Sequence, residues 1–207
     1  MKTMTNRVGF WTVLFALVAG LGYEIAALAE LAGISNPPIS LIYILAPSLL
    51  LALSFPVVIA CVLDLVPVER RIWARIGLNL ILVYSAINSI VYFSQLAVVI
   101  PQMLAGKSVS VDLLLFESGK FMYAINGLAY GLMSLGTLFA ALAFDTGSEH
   151  KWVRRTMIAH GLLAPFVVGA LFVPAFFAIG ILWLVTFPAM MISLARMFRQ
   201  QNKHPGE

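Results

Sequence analysis

Apolar residues in this chain do not recur singly at a helical or strand period. They fill whole stretches of about 20 residues or more, separated by short clusters of charged, polar, glycine and proline residues. A helix needs about 20 apolar residues to cross a hydrocarbon core roughly 30 Å thick, so each stretch predicts a membrane-spanning helix. The first covers residues 8–31 and is followed by Asn36, Pro37 and Pro38, where proline stops one helix and can open the next. The second, 39–66, carries Pro47 and Pro56 inside it. That predicts a kinked or tilted helix whose donorless carbonyls are satisfied by neighbours such as Ser54. Glu69, Arg70, Arg71 and Arg75 mark its end. The third, 72–100, is halted by Pro101, and residues 102–120 form the longest polar connection. The fourth covers 121–144, and the turn formers of 145–151 close it.

Residues 156–195 contain no charged side chain. As one helix they would reach about 60 Å, twice the bilayer core, so this stretch must double back. Phe172, Val173 and Pro174 supply the reversal, giving spans at 155–173 and 174–198. Charge agrees, since Arg154 and Arg155 precede the stretch and Arg196 and Arg199 follow it, and an even number of crossings puts all four on one side. Lys2, Arg7, Arg70, Arg71, Arg75, Lys151 and Lys203 join them there, against Lys107 and Lys120 on the other side. By the positive-inside rule the crowded side is cytoplasmic. The expectation is an all-α integral membrane protein, a single six-transmembrane-helix bundle over 1–207 with both termini cytoplasmic. Short loops point to a prokaryotic plasma membrane. Lys2, Arg7 and the small residues Ala27, Leu28 and Ala29 imitate a secretory signal, but the apolar run is longer than a signal core and is expected to stay as the first span.

Composition narrows the class further. The chain is 61% hydrophobic and 11% charged, whereas soluble domains are roughly half apolar and a quarter charged. Short alternating segments are absent, which argues against a membrane barrel. The net charge of +4 comes without a soluble basic face for nucleic acid, so the bilayer is the expected partner for it. A single cysteine, Cys61, excludes intrachain disulfides and dithiol chemistry.

Polar residues within the spans gather towards the extracytoplasmic ends. Glu24 lies about two turns from the outer end of the first span, beside Tyr23. Tyr43, Tyr92, Gln95, Tyr123, Asn126 and Tyr130 lie in the outer parts of the next three. A charged carboxylate within a span costs on the order of 3 kcal/mol on insertion scales, less near the interface. Glu24 is therefore expected to face the bundle interior, either neutral or paired with a cation such as Lys120. It either hydrogen-bonds a neighbouring helix or serves a ligand or a proton.

The third and fourth spans echo each other: Ala86, Ile87 and Asn88 lead to Tyr92, and Ala124, Ile125 and Asn126 lead to Tyr130. Residues four apart share a helix face, so each span presents an amide above a phenol. Tyr84 and Gln95 extend one stripe, Tyr123 and Ser134 the other. In the structural alternative the asparagines tie the helices together at about 0.6 kcal/mol per bond, with Gly127 and Gly131 easing the approach. In the functional alternative Glu24, Tyr43, Asn88, Tyr92, Gln95, Tyr123, Asn126 and Tyr130 line a pocket for a small polar or cationic ligand.

Other candidates are plainer. His160 reads as a packed imidazole, and with His150 and His204 outside the spans neither haem ligation nor a zinc site is expected. Asp64 and Asp145 read as partners of nearby arginines, and the arginine clusters as contacts to anionic lipid heads. The apolar run 111–117 suits an interfacial helical turn, either a connector lying at the membrane surface or a cover for an outward-facing pocket. No cofactor and no catalytic motif is recognised. Three function classes follow: a small-molecule transporter or substrate-binding membrane subunit; an accessory subunit that uses its polar stripes to bind a membrane-protein partner or another copy of itself; and a lipid-modifying enzyme using a glutamate as acid and base.

Overall fold

The computed structural model describes residues 2–107, 112–147 and 150–203. Val111, which opens the apolar run of the long loop, Ser148 and Glu149 of the turn after the fourth span, and His204 lie outside the described residues. Every regular element among the described residues is helical. In chain order these are α1 (Lys2–Leu31), α2 (Ile39–Leu65), a 3-10 turn Val68–Arg70, and α3 (Arg71–Ser94), which runs through a π-helical turn Gln95–Val99 into α4 (Ile100–Leu104). A 3-10 turn Asp112–Leu114, α5 (Phe121–Leu142), α6 (Lys151–Gly161) and α7 (Ala164–Gly169) follow. The chain ends with a 3-10 turn Pro174–Phe176, α8 (Phe177–Gly180) and α9 (Trp183–Lys203).

Among the described residues five helical stretches are long and apolar enough to cross a membrane: Met4–Leu31, Ile39–Leu65, Val68–Leu104, Phe121–Leu142 and Pro174–Gln201. The expected helix at 155–173 is not continuous. It is split into α6 and α7 at Leu162 and Leu163, because Pro165, in the first turn of α7, has no N–H to give the Gly161 carbonyl. The expected reversal is present: Val173 is extended, Pro174 opens the 3-10 turn, and Phe176 packs edge-on against Phe166 with ring centroids 5.7 Å apart.

Pro101 does not halt the third span. The Ile100 N–H bonds the Gln95 carbonyl five residues back, and this extra residue in the ladder leaves Pro101 in the first turn of α4, where a missing donor is tolerated. In α2 both prolines lie inside an unbroken helix. Ser54 donates to the Leu51 carbonyl at 3.2 Å, one residue away from the Ala52 carbonyl that Pro56 deprives of its donor.

The helices pack in chain order around a ring: α1 on α2, α2 on α3, α3 on α5, α5 on α6 and α7, α6 on α9, and α9 back on α1. Glycines set the closest approaches. A Cβ on Gly77 of α3 would stand 2.5 Å from the Gly136 carbonyl oxygen of α5, and one on Gly161 of α6 would stand 2.5 Å from the Leu138 Cβ. Gly9 and Gly20 of α1 lie against the Phe198 and Phe187 rings of α9.

Inside the ring, aromatic side chains from α1, α2, α3, α5, α6 and α9 meet. Phe55, Tyr84, Tyr130, Trp183 and Phe187 form a closed cycle of ring contacts in which Trp183 and Phe187 are stacked at 4.7 Å. Tyr23 of α1 and His160 of α6 each add a ring at 5.8 Å from Trp183. These separations fall in the favourable range for aromatic pairs. The outer surface carries exposed Phe15, Val18 and Ile25 on α1 and Leu82, Ile90 and Phe93 on α3, an apolar belt suited to lipid contact.

The end that bears both termini holds the arginines. Arg70 pairs with Asp145 at 3.1 Å and donates to the Phe144 carbonyl, as expected for Asp145. Asp64 departs from expectation, since its carboxylate accepts from Thr5 of α1 at 2.5 Å and Arg71 reaches only the Asp64 and Val66 backbone carbonyls. Trp11 and Trp152 are exposed near this end, and the Arg155 guanidinium lies over the Trp152 ring.

Candidate functional site

Four of the eight sequence candidates form one buried hydrogen-bonded knot between α3 and α5. The Asn126 Nδ2 donates to the Asn88 Oδ1 at 3.1 Å and to the Tyr92 hydroxyl at 2.8 Å. The Asn88 Nδ2 donates to the same hydroxyl at 3.1 Å. Tyr92 then donates to the Tyr130 hydroxyl at 3.0 Å, which lies beside Ser48 of α2, itself a donor to the Ile44 carbonyl at 2.7 Å. A phenol has one hydrogen and two lone pairs, and an amide nitrogen two hydrogens. The Tyr92 hydroxyl and the Asn126 nitrogen are thus fully used inside the protein, and the stripes seen in the sequence face each other within one chain.

The other four are placed differently. Glu24 is buried at 7% exposure, on the same inward face of α1 as Val13 and Ala16, and one carboxylate oxygen has no hydrogen-bond partner. Tyr123 packs its ring against Phe116 of the long loop at 5.7 Å. Tyr43 is 61% exposed on the outer surface and does not join the others. Gln95 is completely buried at the start of the π-helical turn, a kind of helix irregularity that is common at functional sites. Its Nε2 donates to the Leu114 carbonyl at 2.5 Å, tying the long loop to α3, while its Oε1 has no partner.

Gln95 also lines a cleft of about 260 Å³ at the end of the bundle opposite the termini. The polar part of the wall comes from Glu30 near the end of α1, Gln95, and Glu117 and Ser118 of the loop. The apolar part includes Leu41 of α2, Val99, Met103 of α4 and Phe116. The volume is near the lower limit of ligand pockets, which run from about 300 to 1,000 Å³. One Glu30 carboxylate oxygen is buried without a partner. The loop residues 115–118 thus form part of the cleft wall.

Glu30, Glu117 and Ser118 are absent from the sequence candidates. Glu30 lies at a helix end and Glu117 in a loop, where carboxylates are ordinary, and only the fold brings them together around Gln95. His160 is buried, with its Nδ1 3.2 Å from the Thr186 hydroxyl. Among the described residues no group of three or more histidines, cysteines or carboxylates is placed to hold a metal ion. No family model, curated protein or solved structure matches this chain.

Proposed function

We propose that the chain is a multi-pass protein of the plasma membrane that crosses six times, has both termini in the cytoplasm, and binds a small molecule from the extracytoplasmic side, as a substrate-binding membrane subunit or small-molecule transporter. The observation that carries this reading is the cleft at the end opposite the termini, whose wall combines an apolar side with polar groups that retain acceptor capacity. The closed ring supports a fifth crossing made of α6 and α7 together, since α7 continues along α5 beyond α6. Interrupted helices of this kind are familiar in transporters. The knot and the aromatic cycle lie within the ring, between the cleft and the end that bears the termini.

The accessory-subunit reading has less support, because Asn88 and Asn126 spend their bonds on each other and on Tyr92 within the chain. The lipid-enzyme reading rests on Glu24 as acid and base, and that side chain is buried in the bundle.

The test is melting of purified protein against a panel of metabolites, amines, carboxylates and ions. A ligand that binds only the folded state raises the apparent stability by mass action. At least one compound is expected to raise the melting temperature of wild type, and Leu41→Trp, which fills the cleft from α2, is expected to lose that response. A flat response across the panel in wild type would return the weight to an assembly role.

A further inference from the structure

We infer that the cleft takes a small organic cation, an ammonium or guanidinium group on a compact apolar body, with Glu30, Glu117 and the Gln95 amide oxygen as the acceptors of its N–H groups. This rests on the small-molecule reading above and specifies its ligand class.

The chemistry of the wall selects the sign of the charge. The Gln95 amide is buried and oriented by its own bond: with one Nε2 hydrogen given to the Leu114 carbonyl, Oε1 is left as an acceptor without a partner. Glu30 and Glu117 add carboxylates, which when ionised only accept. An anion would meet carboxylates across a confined space, whereas a cation would meet opposite charge. An ammonium offers three donors and a guanidinium five, enough to serve all three acceptors at once.

The rest of the wall argues for an organic cation over a bare metal ion. Calcium takes six to eight oxygen ligands, whereas the cleft wall includes Leu41, Val99, Met103 and Phe116. These side chains suit an alkyl or aryl body, and an aromatic face attracts a cation besides.

The test uses the full chain in detergent and titrates isopentylamine and phenethylamine, each beside its matching alcohol and carboxylate, within the broader metabolite panel. Amines are expected to bind at least tenfold more tightly than their neutral and anionic counterparts. Glu30→Gln and Glu117→Gln are each expected to weaken amine binding by tenfold or more while the melting temperature without ligand is kept. Glu117 stands in the loop, so its variant leaves the helical core untouched. Amine binding that both variants retain overturns the inference, because the site then lies elsewhere. Equal or tighter binding of the alcohols or carboxylates also overturns it and leaves the small-molecule reading standing. If no member of the panel binds, both fail together.

Discussion

The Tyr92 hydroxyl of α3 donates to the Tyr130 hydroxyl of α5 at 3.0 Å while two asparagine amides donate to it. Tyr92→Phe removes the shared oxygen and leaves the Asn88 and Asn126 amides buried with one acceptor fewer. A single interhelical hydrogen bond in a membrane averages about 0.6 kcal/mol, and a buried donor left without its acceptor costs about 1–3 kcal/mol. Tyr92→Phe is therefore expected to destabilise the protein by about 1–3 kcal/mol. Reversible denaturation in mixed micelles measures it. A change no larger than that of the lipid-facing Ile90→Ala would show that the knot contributes nothing special.

The same knot predicts non-additivity. Asn88→Leu and Asn126→Leu each break the bond between the two side chains, so the second substitution has less left to remove. The double variant is expected to lose less stability than the two single losses added together, by about 0.5 kcal/mol or more, as for other residues in one network. Strict additivity in the double-mutant cycle would mean that the two amides do not act together.

The α3–α5 crossing rests on backbone contact. A Cβ on Gly136 would lie 2.8 Å from the Gly77 carbonyl oxygen, and one on Gly77 would lie 2.9 Å from the Ala140 nitrogen. Backbone cannot swing aside as a side chain can. Gly77→Val is expected to force the helices apart at the cost of about 1–3 kcal/mol, the usual range for overpacking. Gly147→Val, where a Cβ meets nothing within 4 Å, is the control. Equal melting temperatures for the two variants would contradict the close crossing.

Much of this fold is legible in the sequence because a lipid solvent requires it. Each apolar run of about 20 residues must satisfy its own backbone, so helix positions follow from run length. The echo of Asn88 and Tyr92 with Asn126 and Tyr130 was visible, and four-residue spacing put each pair on one face. For the partner of each face the sequence offered two choices, the other helix or a ligand, and could not decide between them, since a helical period says which residues lie together and nothing about what they meet; the Asn126–Asn88 bond joins helix to helix. Local backbone bonding also escaped the pattern: the π-helical turn at Gln95 re-registers the ladder before Pro101, while Pro165 breaks a span that run length alone would leave whole. The cleft is less legible still, as Glu30, Gln95 and Glu117 come from three separate segments.

Tryptophan fluorescence separates the interior of the ring from its surface. Trp183 is 7% exposed at the centre of the aromatic cycle, whereas Trp11, Trp73 and Trp152 are 63%, 39% and 70% exposed. A variant with Trp11, Trp73 and Trp152 all changed to Phe keeps only Trp183. Its emission is expected to be blue-shifted relative to wild type and resistant to quenching by aqueous acrylamide and by brominated lipid. Strong quenching by brominated lipid would place the ring on the bundle surface and would break the cycle that links α2, α3, α5 and α9.

The fifth crossing is open to direct measurement, because α6 and α7 are too short to span singly. If together they cross, Gly147 and Gln200 lie on the same side of the membrane; if they do not, the two lie on opposite sides. With Cys61, which is buried, replaced by alanine, single cysteines at Lys107, Gly147 and Gln200 can be probed in intact cells with a membrane-impermeant maleimide. The six-crossing arrangement predicts labelling of Lys107→Cys from outside, and labelling of Gly147→Cys and Gln200→Cys only after the membrane is permeabilised. Labelling of Gln200→Cys in intact cells, with Gly147→Cys protected, would leave five crossings. Residues 151–173 would then lie along one face of the membrane, and the arginines of α6 and α9 would no longer share a side.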